Sequence, residues 1–195
     1  MKNFWIEFFA KLLSIFIFSK KLKRKFRGKF KTFFYGFEVV TKASHIGKNF
    51  ICYGGKNSAT KNTFIGDDVS FNGVIIRGNK ECYSKVVIGN CCQFGENILI
   101  ISQSHNYDKG TEIPYDNTKI YKDVIVEDFV WCGSNVTIVP GAKIGEGAII
   151  QAGSVVCGEI PPYAIAGGNP AKAFKYRDIE HFKELKEKGC FKKQY

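Results

Sequence analysis

From Val126 onward the sequence falls into units of six: VEDFVW, CGSNVT, IVPGAK, IGEGAI and IQAGSV, followed by Val156. The first position of each unit reads Val126, Cys132, Ile138, Ile144, Ile150 and Val156, all aliphatic or thiol. The fifth reads Val130, Val136, Ala142, Ala148 and Ser154, all small. In a chain that is 45% hydrophobic, an apolar column of that length arises by chance at roughly the 1% level. The second column, with turn-forming Gly133, Pro140, Gly141, Gly145, Gly147 and Gly153 between, removes the ambiguity. Such a period describes short strands joined by tight turns, with one large and one small side chain directed inward per unit. Stacked, these make a parallel β-helix, an all-β fold.

Earlier stretches repeat the pattern out of phase: IGKNFI from Ile46, IGDDVS from Ile65, FNGVII from Phe71, IGNCCQ from Ile88, FGENIL from Phe94 and IISQSH from Ile100. The chain is therefore expected to leave the coil near residues 53–63, 77–86 and 105–124. Three parts follow: an N-terminal basic and apolar segment (1–44), a β-helix (45–167), and a C-terminal segment (168–195). In the last, DIEHFKELKEKG reads as a short helix capped by Asp178 and ended by Gly189, with Ile179, Phe182 and Leu185 on one face.

The charge of +11 is concentrated at the N-terminus: residues 1–31 hold ten Lys or Arg against Glu7 alone. FWIEFFAKLLSIFIF, from Phe4, is too short and too charged to span a bilayer, which needs ~20 apolar residues. As a helix it has a broad apolar face opposite Asn3, Glu7, Lys11 and Ser14. No cleavage-site pattern follows it, so a cytosolic protein is expected. Residues 1–31 suit peripheral contact with an anionic membrane, or packing on the protein's own body, where they would cap an open end of the coil. Nothing elsewhere in the chain supports nucleic-acid binding. The seven cysteines form no C-x-x-C pair and match no zinc spacing, so reduced thiols are expected, with Cys52, Cys92 and Cys132 filling the core.

His105 follows a strand-like run and opens a polar loop, SHNYDKGTEIPYD. A sugar hydroxyl attacking a thioester needs a base near neutral pH, and imidazole suits that task. His45 and His181 lack such surroundings and read as structural or surface residues. That loop, VEDFVWCGSNVTIVPGAKIGEGAIIQAGSVV, and IPPYAIAGGNPAKAFKYR together resemble the acetyl-CoA-dependent O-acetyltransferases of the hexapeptide-repeat class. The likeness covers roughly residues 45 to 178. It is strongest to enzymes that modify bacterial capsular, exopolysaccharide or lipopolysaccharide sugars, and maltose and galactoside acetyltransferases are cousins.

The resemblance implies a left-handed prism with three hexads per turn, so that Val126 lies over Ile144 and Cys132 over Ile150. It implies His105 as general base, with Asp108 or a backbone carbonyl holding its other nitrogen. It further implies Asn72 beside the acceptor, and an oxyanion donor in the Gly133 region. For acetyl-CoA it implies Gly133, Ser134, Ala152 and Gly153 along the pantetheine arm and Lys172, Lys175 and Arg177 toward the phosphates. It also implies a homotrimer with sites between subunits, a carbohydrate acceptor, lipid-linked or not, and no metal. Cys157, Gly158 and Glu159 stand where many relatives have Thr-Lys-Asp, so one CoA-contacting lysine is missing. No histidine is near Cys157 in sequence, which argues against a thiol nucleophile. An N-acetyltransferase for amino sugars or antibiotics, or a non-catalytic assembly protein, would use the same scaffold.

Overall fold

The computed structural model describes Phe9, Leu12 and residues 20–78 and 83–192. The chain from His45 to Gly168 winds as a left-handed parallel β-helix of triangular section. One face stacks, in order, His45–Ile46, Thr63–Ile65, Val86–Ile88, Val124–Val126, Lys143–Ile144 and Glu159–Ile160. The second carries Ile51–Gly54, the first residues of Ser70–Arg77 and of Gln93–Ile101, then Trp131–Cys132, Ile149–Ile150 and Ala164–Gly168. The third carries the later residues of Ser70–Arg77 and Gln93–Ile101, then Thr137–Ile138 and Val155–Val156. Ser70–Arg77 and Gln93–Ile101 thus run around one edge, between the second and third faces.

The predicted register is the observed one. Val126 pairs with Ile144, Cys132 with Ile150 and Ile138 with Val156, each one turn of eighteen residues apart. Every member of both inward columns from Val126 to Val156 is at most 1% exposed. Short strands are stable here because each backbone group finds its partner in the coil above or below, while side chains from three faces close the centre. In the first coils the filling is aromatic: Phe71 meets Phe50 and Phe94 edge-on, with centroids 5.1 and 5.3 Å away. Cys52, Cys92 and Cys132 are fully buried and free. Burial pushes the Cys52 and Cys132 thiols up to about 12 and raises Cys92 as well.

The N-terminal end is closed by helix α1 (Lys20–Tyr35) and a shorter α2 (Phe37–Lys42), joined at Gly36. Tyr35 and Val39 enter the core, and the Cys52 N–H donates to Thr32 Oγ1 at 3.0 Å. A side chain at Gly36 would stand 2.7 Å from the Thr32 carbonyl and 2.8 Å from Cys52 Sγ, so only glycine permits this close approach. The basic run therefore continues as a helix and its C-terminal half packs on the body. Most of residues 4–18 lie outside the described residues.

At the other end, Ala164–Gly168 turns back into an antiparallel strand, Ala171–Tyr176, and then into α3 (Ile179–Glu187). Asp178 caps α3 by accepting from the His181 N–H, and Gly189 follows with φ +64. Of the expected apolar face, Phe182 is the anchor. Its ring packs against Tyr163 and Phe129, over Gly147 where a side chain would collide with it. Leu185 is left 37% exposed.

Asn57, which sequence patterning does not single out, ties the cap to the coil. It is 3% exposed, and its Oδ1 accepts from the Gly73 and Val74 N–H groups at 3.0 and 2.9 Å. Its Nδ2 donates to the Tyr35 and Gly54 carbonyls at 3.2 and 2.9 Å. Asn57→Ala leaves these buried backbone groups unpaired and is expected to cost about 2 to 4 kcal/mol in urea unfolding, whereas a loss under about 0.5 kcal/mol would show that water takes its place.

Candidate active site

After Ile101 the chain leaves the prism at the edge between its third and first faces, and returns to it at Val124. Gln103–His105 and Lys119–Tyr121 form a two-stranded antiparallel hairpin that sets His105 opposite Lys119. The intervening loop is organised around Asp116, which is 8% exposed. Its carboxylate accepts from the Thr118 hydroxyl, from the Thr118 N–H at 2.9 Å and from the Thr111 N–H at 3.1 Å. These donors, Thr118 foremost, hold the Asp116 carboxyl below the ordinary carboxylate value. Asn106 Nδ2 adds a bond to Thr118 Oγ1 at 3.0 Å.

His105 is half-buried on this frame. Its ring stacks against Tyr115 with centroids 3.8 Å apart and planes inclined by 39°. Lys119 Nζ lies 2.7 Å from Nδ1 and 3.0 Å from Nε2. An ammonium only donates, so the ring nitrogen it meets presents a lone pair. The expected orienting groups, Asp108 or a backbone carbonyl, are not the ones found. Among the described residues no hydrogen bond joins Asp108 to His105, and the partner is Lys119. A lysine fourteen residues away becomes a neighbour only through the hairpin register, which a single sequence does not display. His45 stands exposed on the first strand, and His181 is exposed on α3, 3.9 Å from Glu184.

Asn72 lies on a different edge, where Ser70–Arg77 turns between the second and third faces. Gly55, Lys56, Asn72, Gly73, Ile75, Glu96 and Asn97 line a cleft there of about 390 Å³. Asn72 Nδ2 donates to Glu96 Oε1 at 3.3 Å, and the Glu96 N–H donates to Ser134 Oγ at 3.1 Å. The same edge continues through Gly133 and Ser134 to Ala152 and Gly153. A side chain on Gly133 would stand 2.7 Å from the Ala152 nitrogen, and one on Gly95 would stand 2.8 Å from the Ser134 nitrogen. The result is a strip of closely spaced, accessible backbone. The Gly133 N–H itself is held by the Ile150 carbonyl at 2.8 Å and is not available as an oxyanion donor. The Ser134 and Ala152 N–H groups have no acceptor among the described residues. No hydrogen bond or ring contact joins His105 to Asn72 or to this strip within the chain.

Lys172 and Lys175 are exposed on Ala171–Tyr176, as a phosphate contact requires. Arg177 is engaged within the chain. Its Nε donates to the Gly147 carbonyl at 2.6 Å, its guanidinium lies 5.7 Å from the Phe182 ring, and burial lowers its proton affinity. It fastens α3 to the last coil. Cys157 is exposed and meets no histidine among the described residues, and Glu159 pairs with Lys143 at 3.6 Å.

With this geometry in hand, residues 123–158 match the family described as bacterial transferase hexapeptide (six repeats). That match and the coil described above make the fold a hexapeptide-repeat one, similar to that of the acetyltransferases of this class. It is 33% identical over 115 residues to a chloramphenicol acetyltransferase of Klebsiella aerogenes, an alignment covering 51% of this chain and 55% of that one. It is 31% identical over 98 residues to a galactoside O-acetyltransferase of Lactococcus lactis, covering 50% and 46%. The chain thus spans about half the length of the curated relatives it matches. A galactoside acetyltransferase solved in complex with coenzyme A superposes with a TM-score of 0.56 at 21% identity, over 92% of this chain and 83% of that one, which establishes the shared fold.

The lowered carboxyl of Asp116 means that its contribution to loop order is complete above the ordinary value of 3.8 and is lost as pH falls through the lowered one. Asp116→Ala should therefore speed hydrogen exchange at the Thr111 and Thr118 amides, with the melting temperature of the prism changed by no more than ~2 °C. Unchanged exchange in the variant would mean that the loop is ordered by other contacts.

Proposed function

We propose that this chain is an acetyl-CoA-dependent O-acetyltransferase acting on a hydroxyl of a cell-surface polysaccharide or its precursor, with His105 as general base. The observation that carries the reading is the position of His105 on a hairpin standing off the prism wall, its ring backed by Tyr115. A packed, bonded imidazole is pre-oriented for proton transfer, whereas a solvated one is not. The relatives named for acetyl transfer to a galactoside and to chloramphenicol support the reaction class.

In the reaction, His105 removes the proton as the acceptor oxygen attacks the thioester carbonyl. The oxyanion of the tetrahedral intermediate is met by the Ser134 N–H, with Ala152 adjacent. The carbon–sulfur bond then breaks, and the imidazolium returns its proton to the departing thiolate. The pantetheine arm lies along Gly133, Ser134, Ala152 and Gly153, and Lys172 and Lys175 face the phosphates. Asn72, with its Nδ2 engaged by Glu96, offers its Oδ1 to the acceptor. Because Asn72 and His105 sit on different edges of one prism, the site is completed between copies. A homotrimer that sets the His105 hairpin of one chain against the Ser134 edge of the next satisfies this.

The acceptor is met at the inner face of a membrane. Phe33, Phe34 and Phe37 are 45 to 61% exposed on α1 and α2, with ring centroids 5.1 to 6.4 Å apart, and a basic run precedes them. Aromatic rings flanked by lysines suit the interface of an anionic bilayer. Among the described residues no helix is long and apolar enough to cross a membrane.

His105→Ala is expected to lower kcat by about 10² to 10⁴ with the oligomer intact by light scattering. Turnover near the wild-type rate in the purified variant removes the base assignment. For the membrane contact, deleting residues 1–31 would cut α1 within its packed half, so point changes are the cleaner probe. Phe33, Phe34 and Phe37 together replaced by Ser should abolish co-sedimentation with phosphatidylglycerol vesicles and leave melting unchanged. Retained co-sedimentation would assign these rings to another contact.

A further inference from the structure

We infer that Lys119 is the anion-recognition residue of the acceptor site, so that the acceptor carries a carboxylate or a phosphate close to the hydroxyl that reacts. This rests on the reading of His105 as the base. Lys119 is half-buried at the end of the hairpin, and its ammonium has two neighbours among the described residues: the His105 ring nitrogens, and the face of Tyr115, 5.8 Å from Nζ to the centroid. Both are uncharged hydrogen-bonding or π partners. A half-buried ammonium is ordinarily met by a carboxylate. The carboxylate buried in the same loop, Asp116, is occupied by Thr111 and Thr118. No ion pair joins Lys119 to an acidic side chain among the described residues. The loop therefore brings a cation to the reacting centre and supplies nothing to neutralise it.

The placement also limits what the anion is. Acetyl-CoA brings phosphates of its own, but they lie a full pantetheine arm from the thioester at which His105 works. The neutralising group must come from the acceptor. There is a second consequence. In the unliganded chain Lys119 covers the lone pair that His105 needs for proton abstraction. An anion on the acceptor draws the ammonium toward itself, because a bond to carboxylate or phosphate adds the attraction of opposite charges, which a neutral ring nitrogen does not offer. The base is uncovered when an acidic acceptor binds and stays covered when a neutral one does. Selectivity and activation thus reside in one side chain.

The test reads the imidazole ¹H–¹⁵N spectrum of the full-length protein, which has three histidines, with His105 assigned from His105→Ala. Glucuronate, glucose 1-phosphate and methyl glucoside are titrated separately. The expected result is a saturable shift of the His105 nitrogens by one or both anionic sugars and none by methyl glucoside. Lys119→Met should weaken the anionic sugar by at least about tenfold, and Lys119→Arg should restore part of the affinity. Which of the two anions binds tells a sugar acid from a phosphorylated precursor. Equal shifts by all three sugars, no saturable shift by either anion, or unchanged affinity in Lys119→Met would overturn the inference. Thiol release from acetyl-CoA with the same sugars reports separately on the reaction. Anion binding at Lys119 without transfer to any hydroxyl would reject the acetyltransferase reading alone, whereas transfer to neutral and acidic sugars alike would reject the role of Lys119 alone.

Discussion

The interior of the prism is only as wide as two side chains per hexad allow, and everything else in the molecule accommodates that width. Val126, Ile144 and Ile150 point inward from strands of two or three residues, too short to be stable as isolated sheets. They persist because the coil above and the coil below satisfy the same backbone and close the same core. Val130, Val136, Ala142, Ala148 and Ser154 must be small because each occupies a corner, where the chain turns sharply. The geometry is repetitive along the axis, so insertions are tolerated only at edges. There a loop can leave and return without breaking the ladder. The His105 hairpin is such an excursion, leaving after Ile101 and returning at Val124.

A stack of this kind has two exposed ends, and each is closed by a different device. At the start, Tyr35 and Val39 fill the first coil from a helix that Gly36 allows to bend within reach of Cys52. At the finish, Phe182 lies over Gly147 and Arg177 clasps the same glycine's carbonyl. Closure by helices keeps strand edges from pairing with other chains. It also places the exposed phenylalanines of α1 and α2 at one pole and the lysines of Ala171–Tyr176 near the other, so the contacts proposed for membrane and cofactor do not compete for surface.

The fold was legible because its determinants are local: residues six apart decide which side chain points inward, and residues eighteen apart decide what it touches. The columns from Val126 to Val156, the core cysteines and the Asp178 cap could all be read that way. The site was legible only in part. His105 announces itself as a lone histidine in a polar loop. Its partner Lys119 is set by a hairpin register, and Asp116 acts through turns that no periodicity records. An oxyanion donor was expected in the Gly133 region, but the coil ladder holds the Gly133 N–H itself on the Ile150 carbonyl. Arg177 was implied, with Lys172 and Lys175, as a phosphate contact. Burial and the Gly147 carbonyl make it a structural clasp. In each case the competing demand is a backbone hydrogen bond whose partner is one coil away, and composition carries no trace of it.

One edge of the prism links the groups that the proposed reaction assigns to acceptor and cofactor. Asn72 is held by the Glu96 carboxylate, and the Glu96 amide is bound to the Ser134 hydroxyl, while the Ser134 carbonyl receives the Gly153 N–H at 2.9 Å. Asn72, Glu96, Ser134 and Gly153 therefore sit on four successive coils whose spacing the ladder sets at about 4.8 Å per coil. Nothing along that edge has room to adjust, since a single added carbon at Gly95 or Gly133 would press on the backbone of the next coil. His105, the proposed proton-transfer group, is different in kind. It rides on a hairpin outside the ladder, held by side chains that can exchange partners. In the proposed reaction the rigid part sets where the carbonyl and the acceptor oxygen meet, and the adjustable part sets when the proton can leave, which is where discrimination among acceptors can act without disturbing the fold.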